Sequence, residues 1–148
     1  MPRDWNLPLT YPPKIEPVRT GKCTQSIRFC TISKSKKHHG EIIRKQVGDQ
    51  VRFYRWTGRP YWSKPEYITG YMELVNVENC RIRDEGIDDL RFQGEFGLWE
   101  WDELDRLAEL DFIDPPTGEA LRDVLISKNG RIPADGAPAQ ILRWRFKG

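Results

Sequence analysis

The chain has no long apolar segment. Its mean hydropathy is −0.69, and charged residues make up 31% of its 148 residues. Because a helix that crosses a bilayer needs about 20 mostly apolar residues in succession, the sequence predicts no membrane span. The start of the chain, from Met1 to Asn6, also lacks the apolar core of a secretory signal peptide. We therefore expect no membrane partner.

Cysteine and histidine are scarce as well. The three cysteines, Cys23, Cys30 and Cys80, form an odd and widely spaced set, which argues for a reducing compartment and against a disulfide framework. The two histidines, His38 and His39, are adjacent in a lysine-rich segment and match no common zinc spacing. The sequence thus predicts a cytoplasmic protein without a metal or another cofactor.

The charge is distributed unevenly along the chain. Residues 1–64 contain 14 Lys and Arg against 4 Asp and Glu, whereas residues 65–148 contain 10 against 18. The amino-terminal half can therefore offer a basic surface to phosphate groups, and the other half supplies carboxylates. This division is compatible with RNA as a partner and equally with a small nucleoside.

The order of predicted elements indicates an α+β fold. Alternation of apolar and polar positions predicts the strands, and a period of 3.6 residues predicts the helices. Helices are expected at 14–20, 99–110 and 117–128, and the main strands at 24–30, 51–56, 67–83 and 140–146. The proline-punctuated residues 1–13 are expected to run as an extended amino-terminal arm. A single domain with one core is sufficient for a chain of 148 residues.

The segment 20–28 is the densest in reactive groups. If Gly21 ends the first helix in the left-handed conformation, a strand follows in which Thr24, Ser26 and Arg28 share one face. A polar strand face is more often a solvated surface than a site, and Lys22 after a glycine cap is equally ordinary. The spacing alone leaves both interpretations open.

The same segment resembles the signature of a known family. Gly21, Ser26 and Arg28 fit the pattern glycine, any residue, lysine, any two residues, threonine or glutamate, any residue, arginine. This is the pattern of the ASCH superfamily, a PUA-like group of small β-barrel proteins. Cys23 stands where that pattern has its lysine. Residues 48–51, a glycine and an aspartate ahead of a hydrophobic strand, are similar to the second strand of the family.

The resemblance implies a fold and an activity. The fold is a single ASCH or PUA-like domain over residues 1–148, a small antiparallel β-barrel with a short amino-terminal helix and two helices inserted before the last strand. Some ASCH proteins are amidohydrolases that remove the acyl group from N4-acylated cytosine nucleosides such as N4-acetylcytidine. They use a hydroxyl nucleophile, a lysine base and a carboxylate, and no metal.

Carried over to this chain, the resemblance assigns a role to each motif position. Ser26 takes the place of the nucleophile, and Lys22 is the available base. Asp111 is the matching carboxylate, with Glu109 in reserve. A serine hydroxyl needs these neighbours because it is a weak nucleophile at neutral pH.

Two further residues of the motif have more than one role open to them. Arg28 can lower the pKa of the lysine through the proximity of two cations, or it can stabilise the oxyanion. Cys23 can itself be the nucleophile if Lys22 does not turn towards Ser26. A site that has lost its activity is the remaining interpretation.

The segment 56–65 interleaves aromatic and basic side chains in a predicted loop. Trp56, Tyr61 and Trp62 can stack on a pyrimidine ring, and Thr24 is a further candidate for substrate binding. Loop aromatics also often cover the end of a barrel as part of its core. The same mixture suits a second function that the resemblance allows, a non-catalytic PUA-like module that binds RNA. The sequence gives no indication of the oligomeric state.

Overall fold

A computed structural model describes residues 2–60, 62–84, 90–94, 97–98, 101–130, 132 and 136–147. Within these residues the elements follow in this order: β1 (Asp4–Pro8), α1 (Pro12–Thr20), β2 (Gln25–Phe29), β3 (Thr31–Ile32), β4 (Ile42–Ile43), β5 (Gln50–Trp56), β6 (Pro65–Tyr67), β7 (Met72–Asp84), β8 (Leu90–Gly94), β9 (Gly97–Leu98), α2 (Trp101–Leu110), α3 (Gly118–Asn129) and β10 (Ala137–Trp144). The class is α+β, as the sequence predicts.

One mixed sheet contains most of these strands. Its main path runs β1, β5, β7, β10, β2, with β6 beside β5 and β8 beside β7. The long strand β7 pairs with β5 at its beginning, with β10 along most of its length and with β8 at its end. β1 runs parallel to β5, from Asp4 opposite Gln50 to Pro8 opposite Tyr54. This parallel pair is not part of the antiparallel arrangement that the resemblance implies.

The sheet is also not the closed barrel that was expected. β1 and β2 lie at the two ends of the main path, and no pairing joins them within the described residues. A barrel closes only when each edge strand finds a partner for its free N–H and C=O groups. Here the two edge strands instead face a cavity, which is lined by Pro8 and Leu9 on one side and by residues 26–29 on the other.

Residues 1–13 are not simply an extended arm. Part of them forms β1, and α1 already begins at Pro12. Proline favours the first turn of a helix because its fixed φ is helical and an N–H group in that turn needs no partner within the helix. The helix ends as predicted: Gly21 has a φ of 82°, and its N–H donates to Val18 O at 3.3 Å. A Cβ at Gly21 would lie 2.5 Å from the ring of Phe146, which also requires glycine there.

A buried carboxylate ties β1 to the turn before β5. Asp49 Oδ1 accepts a hydrogen bond from Arg3 N, and Asp49 Oδ2 accepts from Trp5 Nε1 and Gln46 N, each at 3.0 Å. Burial on its own raises the pKa of Asp49, but these three hydrogen bonds favour the charged form and lower the pKa below its ordinary value. The first strand is therefore held by an ionised side chain in addition to its backbone ladder.

Apolar side chains cover both faces of the sheet. On β10, Ile141 belongs to the cluster under α2 and α3, and the next residue, Leu142, belongs to the cluster that contains Val18 of α1. β2 pairs with β10 in register, with Ile27 opposite Ile141 and Ser26 opposite Leu142. Because neighbouring side chains of a strand point to opposite faces, Ser26 and Ile27 lie on different sides of the sheet.

Candidate active site

A cavity of about 280 Å³ lies between the two edge strands. Its walls come from the end of β1, from α1, from β2, from the residues after α2, and from α3. The polar lining residues are Thr10, Lys14, Ser26, Arg28 and Asp111, and the apolar and aromatic ones are Pro8, Leu9, Tyr11, Ile27, Phe29, Ile113, Leu121, Val124 and Leu125. A hydroxyl, an ammonium, a guanidinium and a carboxylate thus line one cavity of mixed polar and apolar character.

The ammonium of Lys14 and the carboxylate of Asp111 form a buried ion pair. Lys14 Nζ lies 2.9 Å from Asp111 Oδ2, and the two side chains are 4% and 8% exposed. Lys14 precedes the fully buried Val18 by four residues, which places both on the face of α1 that packs on the sheet. The second carboxylate oxygen, Asp111 Oδ1, is buried without a hydrogen-bond partner in the described part of the chain. It is therefore an unsatisfied acceptor on a residue that lines the cavity.

The turn that carries Asp111 has an unusual backbone. Phe112 has a φ of 58°, and its N–H donates to Glu109 O at 3.1 Å, while Ile113 N donates to Ala108 O at 2.9 Å. This is the hydrogen-bond pattern of a Schellman motif, in which glycine normally occupies the left-handed position. A bulky residue there is strained by about 1–2 kcal/mol. The strain lies directly next to the carboxylate of the cavity, as is common at functional sites.

Ser26 and Arg28 are in contact on one face of β2. Arg28 Nε donates to Ser26 Oγ at 3.1 Å, and Ser26 is only 3% exposed. Burial lowers the pKa of Arg28 to about 10, although Asp111 and Tyr54 act in the opposite direction. Arg28 therefore stays a cation at neutral pH. A positive charge beside a hydroxyl stabilises the alkoxide that forms when the proton leaves.

The free edge of β2 presents backbone groups to the cavity. On the other edge, Trp144 N donates to Thr24 O at 3.1 Å and Cys30 N donates to Pro138 O at 2.9 Å. In an antiparallel pair, alternate residues direct their N–H and C=O groups to the partner strand and the residues between them direct theirs away. The N–H groups of Ile27 and Phe29 consequently point to the free edge, where both residues line the cavity.

Cys23, which stands at the family's lysine position, is a buried thiol and does not line the cavity. Its Sγ donates to Gln25 O at 3.3 Å and to Leu110 O at 3.6 Å. Burial raises the pKa of Cys23, although the charge of Lys14 acts against this. A neutral, enclosed thiol is a poor nucleophile. The alternative that gave Cys23 this role therefore has no support in the geometry.

Three other residues singled out in the sequence lie outside the cavity. Lys22 is exposed and lines a separate depression together with Glu109. Glu109 is itself exposed and pairs with Arg106 at 3.1 Å. Thr24 is half-buried, and its carbonyl oxygen accepts a hydrogen bond from Trp144 N of β10. Lys22 therefore does not approach Ser26 as expected, and the lysine that lines the cavity together with Ser26 is Lys14.

The two described aromatic side chains of segment 56–65, Trp56 and Trp62, also lie outside the cavity lining. Trp56 contacts Tyr54 edge to face, with ring centroids 5.5 Å apart. Trp62 is 81% exposed, and Tyr61 lies outside the described residues. The aromatic residues that line the cavity are instead Tyr11 and Phe29.

Lys14 does not stand out in the sequence because it lies outside the motif. A lysine near a helix start is usually solvated, since burying its charge costs free energy unless a partner is present. The one available signal was its spacing of four residues from Val18. That spacing places Lys14 on the apolar face of the helix.

No protein-family model, no curated protein and no solved structure matches the chain. Among the described residues, no group of three His, Cys, Asp or Glu side chains is placed to hold a metal ion. No described helix has the length and apolar character needed to cross a membrane.

Proposed function

We propose that the protein is an amidohydrolase that removes the acyl group from N4-acylated cytosine nucleosides such as N4-acetylcytidine. Ser26 is the nucleophile, Lys14 the base and Asp111 the carboxylate. The main support is that these groups come from three separate segments, α1, β2 and the end of α2, and line the same cavity. Stability alone does not explain why these polar groups are buried, because buried ionic groups can often be replaced by apolar ones without loss of stability.

The first step is a proton transfer within the buried pair. Across the 2.9 Å between Lys14 Nζ and Asp111 Oδ2, one proton moves to the carboxylate and leaves the amine neutral. The neutral amine of Lys14 then accepts the hydroxyl proton of Ser26. Ser26 Oγ bonds to the acyl carbonyl carbon, and the carbonyl oxygen becomes an oxyanion.

The second step releases the nucleoside. The tetrahedral intermediate collapses, the bond between the acyl carbon and N4 breaks, and N4 takes the proton from Lys14. Cytidine leaves, and the acyl group remains on Ser26. A water molecule then gives its proton to Lys14, attacks the acyl-serine and releases the carboxylic acid. The bond between the acyl carbon and Ser26 Oγ breaks, and Ser26 Oγ takes the proton back from Lys14. The proton held by Asp111 then returns to Lys14, which restores the Ser26 hydroxyl and the ion pair.

Two donors are available for the oxyanion. The guanidinium of Arg28 is already in contact with Ser26 Oγ. The N–H of Ile27, which directly follows the nucleophile, points to the free edge of β2. Fixed donors at the place where charge develops lower the barrier without any reorganisation during the reaction.

The size of the cavity favours a small ligand over a polynucleotide. Its volume of about 280 Å³ is close to the lower end of the roughly 300–1,000 Å³ that is typical of small-molecule sites.

The test is to incubate the purified protein with N4-acetylcytidine and to follow the ultraviolet shift to cytidine. We expect Ser26→Ala to abolish turnover because it removes the nucleophile. Lys14→Met and Asp111→Asn should each lower the rate by about 10²–10⁴-fold, the range for loss of a group that transfers the proton. The matched control for Lys14→Met is Lys22→Met, and that for Asp111→Asn is Glu109→Gln. Absence of hydrolysis by the wild-type protein, or full activity of Ser26→Ala, would contradict the proposal.

A second candidate function, binding of single-stranded RNA, is supported by side chains outside the cavity. The exposed Trp62 has the Arg59 guanidinium 5.7 Å from its ring centroid, and Arg52 lies 3.7 Å from the centroid of Tyr67. Such aromatic and cationic pairs suit stacking on bases. Affinity for RNA that falls steeply with salt and is weakened by Trp62→Ala, without release of cytidine from N4-acetylcytidine, would favour this function.

A further inference from the structure

The cavity has two chemically different halves, because it extends around the free edge of β2. On one side of the strand lie Ser26 and Arg28, together with the Lys14–Asp111 pair. On the other side, the lining residues are apolar: Ile27, Phe29, Ile113, Leu121, Val124 and Leu125. We call this second part the apolar half. Four of its residues are nearly fully buried, with Ile27 6%, Ile113 4%, Leu121 1% and Leu125 6% exposed.

We infer that the apolar half binds the acyl group of the substrate, and that the protein prefers acyl chains longer than acetyl. This inference rests on the proposed function. The ribose hydroxyls and the base edge of a nucleoside would lose hydrogen bonds to water in such surroundings, which costs free energy. The apolar chain of a longer acyl group makes no hydrogen bonds to water, so its burial there has no such cost.

The position of the nucleophile agrees with this orientation. The acyl carbonyl carbon must lie at Ser26 Oγ, and its oxygen at the N–H of Ile27 on the strand edge. The substituents of that carbon then extend in two directions. With the base and its sugar on the polar side, near Asp111 Oδ1, the acyl chain extends past the edge of β2 towards Val124 and Leu125 of α3.

The expected size of the preference follows from apolar transfer. Each methylene group moved from water to apolar surroundings improves binding by about fourfold. From acetyl to butanoyl, two methylene groups are added, so kcat/KM should rise by about 15-fold. Val124 is half-buried, so a larger side chain at this position can fill the apolar half without first disrupting the core.

The experiment compares N4-acetyl-, N4-butanoyl- and N4-hexanoylcytidine. In the wild-type protein we expect kcat/KM to rise from acetyl to butanoyl, and Val124→Phe, which fills the apolar half, should abolish this rise. The matched control is Ile126→Phe. Ile126 is a half-buried residue of the same helix that does not line the cavity, so its substitution should keep the preference.

A binding measurement separates this inference from the proposed function. Calorimetry on Ser26→Ala with the same three compounds reports chain-length preference without turnover and without relying on how Val124→Phe folds. Hydrolysis with no dependence on chain length would overturn the inference and leave the proposed function standing. Tighter binding of longer chains without hydrolysis by the wild-type protein would support the inference and overturn the function. If the protein neither binds nor hydrolyses these compounds, both the inference and the proposed function are overturned.

Discussion

Removing the ammonium of Lys14 should destabilise the protein strongly, and Lys14→Met is the change that shows it. Methionine is unbranched and keeps most of the length of the side chain, but it leaves the Asp111 carboxylate buried without its partner. Breaking a buried ion pair from one side costs about 3–5 kcal/mol of unfolding free energy. For a chain of this size each kcal/mol lowers Tm by about 2–4 °C, so we expect a loss of roughly 6–20 °C.

Thermal and urea unfolding, followed by circular dichroism, measure this change. The control is Lys22→Met, a substitution of an exposed lysine eight residues away, for which we expect a change within about 0.5 kcal/mol. The double variant Lys14→Met/Asp111→Leu removes both charges and should recover most of the lost stability, because well-packed apolar groups can replace a buried pair. A Lys14→Met protein as stable as Lys22→Met would refute the buried pair and remove the proposed base from the cavity.

Two more predictions concern Cys23 and Asp49. Combining Cys23→Lys with Lys14→Met moves the amine to the position that it has in the ASCH pattern. This double variant should restore part of the N4-acetylcytidine turnover that Lys14→Met loses. A double variant as inactive as Lys14→Met would show that position 23 cannot supply the base. Asp49→Asn should destabilise the protein at neutral pH. Because hydrogen bonds lower the folded-state pKa of Asp49, its stabilising contribution is fully present above the unfolded pKa of about 3.9 and is lost as the pH falls through the folded value. Urea unfolding from pH 7 to pH 2 should therefore show the stabilities of the two proteins converging at acid pH, and a constant difference would contradict this.

Local rules account for the elements that the sequence predicts well. The end of α1 at Gly21 follows from the low cost of left-handed glycine. The start of α3 follows from Thr117, whose Oγ1 accepts from Ala120 N at 3.1 Å. The common face of Ser26 and Arg28 follows from the period of two in a strand. Each of these features depends on neighbours within a few residues, so the sequence contains enough information.

Long-range pairing is what the sequence does not reveal. The parallel ladder of β1 with β5 joins residues 46 positions apart, such as Asp4 and Gln50, and no local pattern specifies either the partner or its direction. The resemblance led instead to the expectation of a closed barrel. The open edge of β2 is therefore a result of tertiary structure alone, and with it the position of the cavity.

Lys14 shows why the lining of the cavity could be predicted only in part. The resemblance pointed to Ser26 and Asp111, which both line the cavity, but the ammonium beside Asp111 comes from α1. The segment around Cys23 is a neighbour of both α1 and Asp111. Cys23 N donates to Pro17 O of α1 at 2.9 Å, and Cys23 Sγ contacts the carbonyl of Leu110, next to Asp111. A lysine from either position 14 or position 23 therefore starts close to the same carboxylate. Because Lys14 brings its own charge into this space, a small neutral side chain at position 23 leaves room for it and adds no second cation. In the proposed function the chemistry depends on which group occupies the space beside Asp111, and a linear motif records only one of the positions from which that space can be reached.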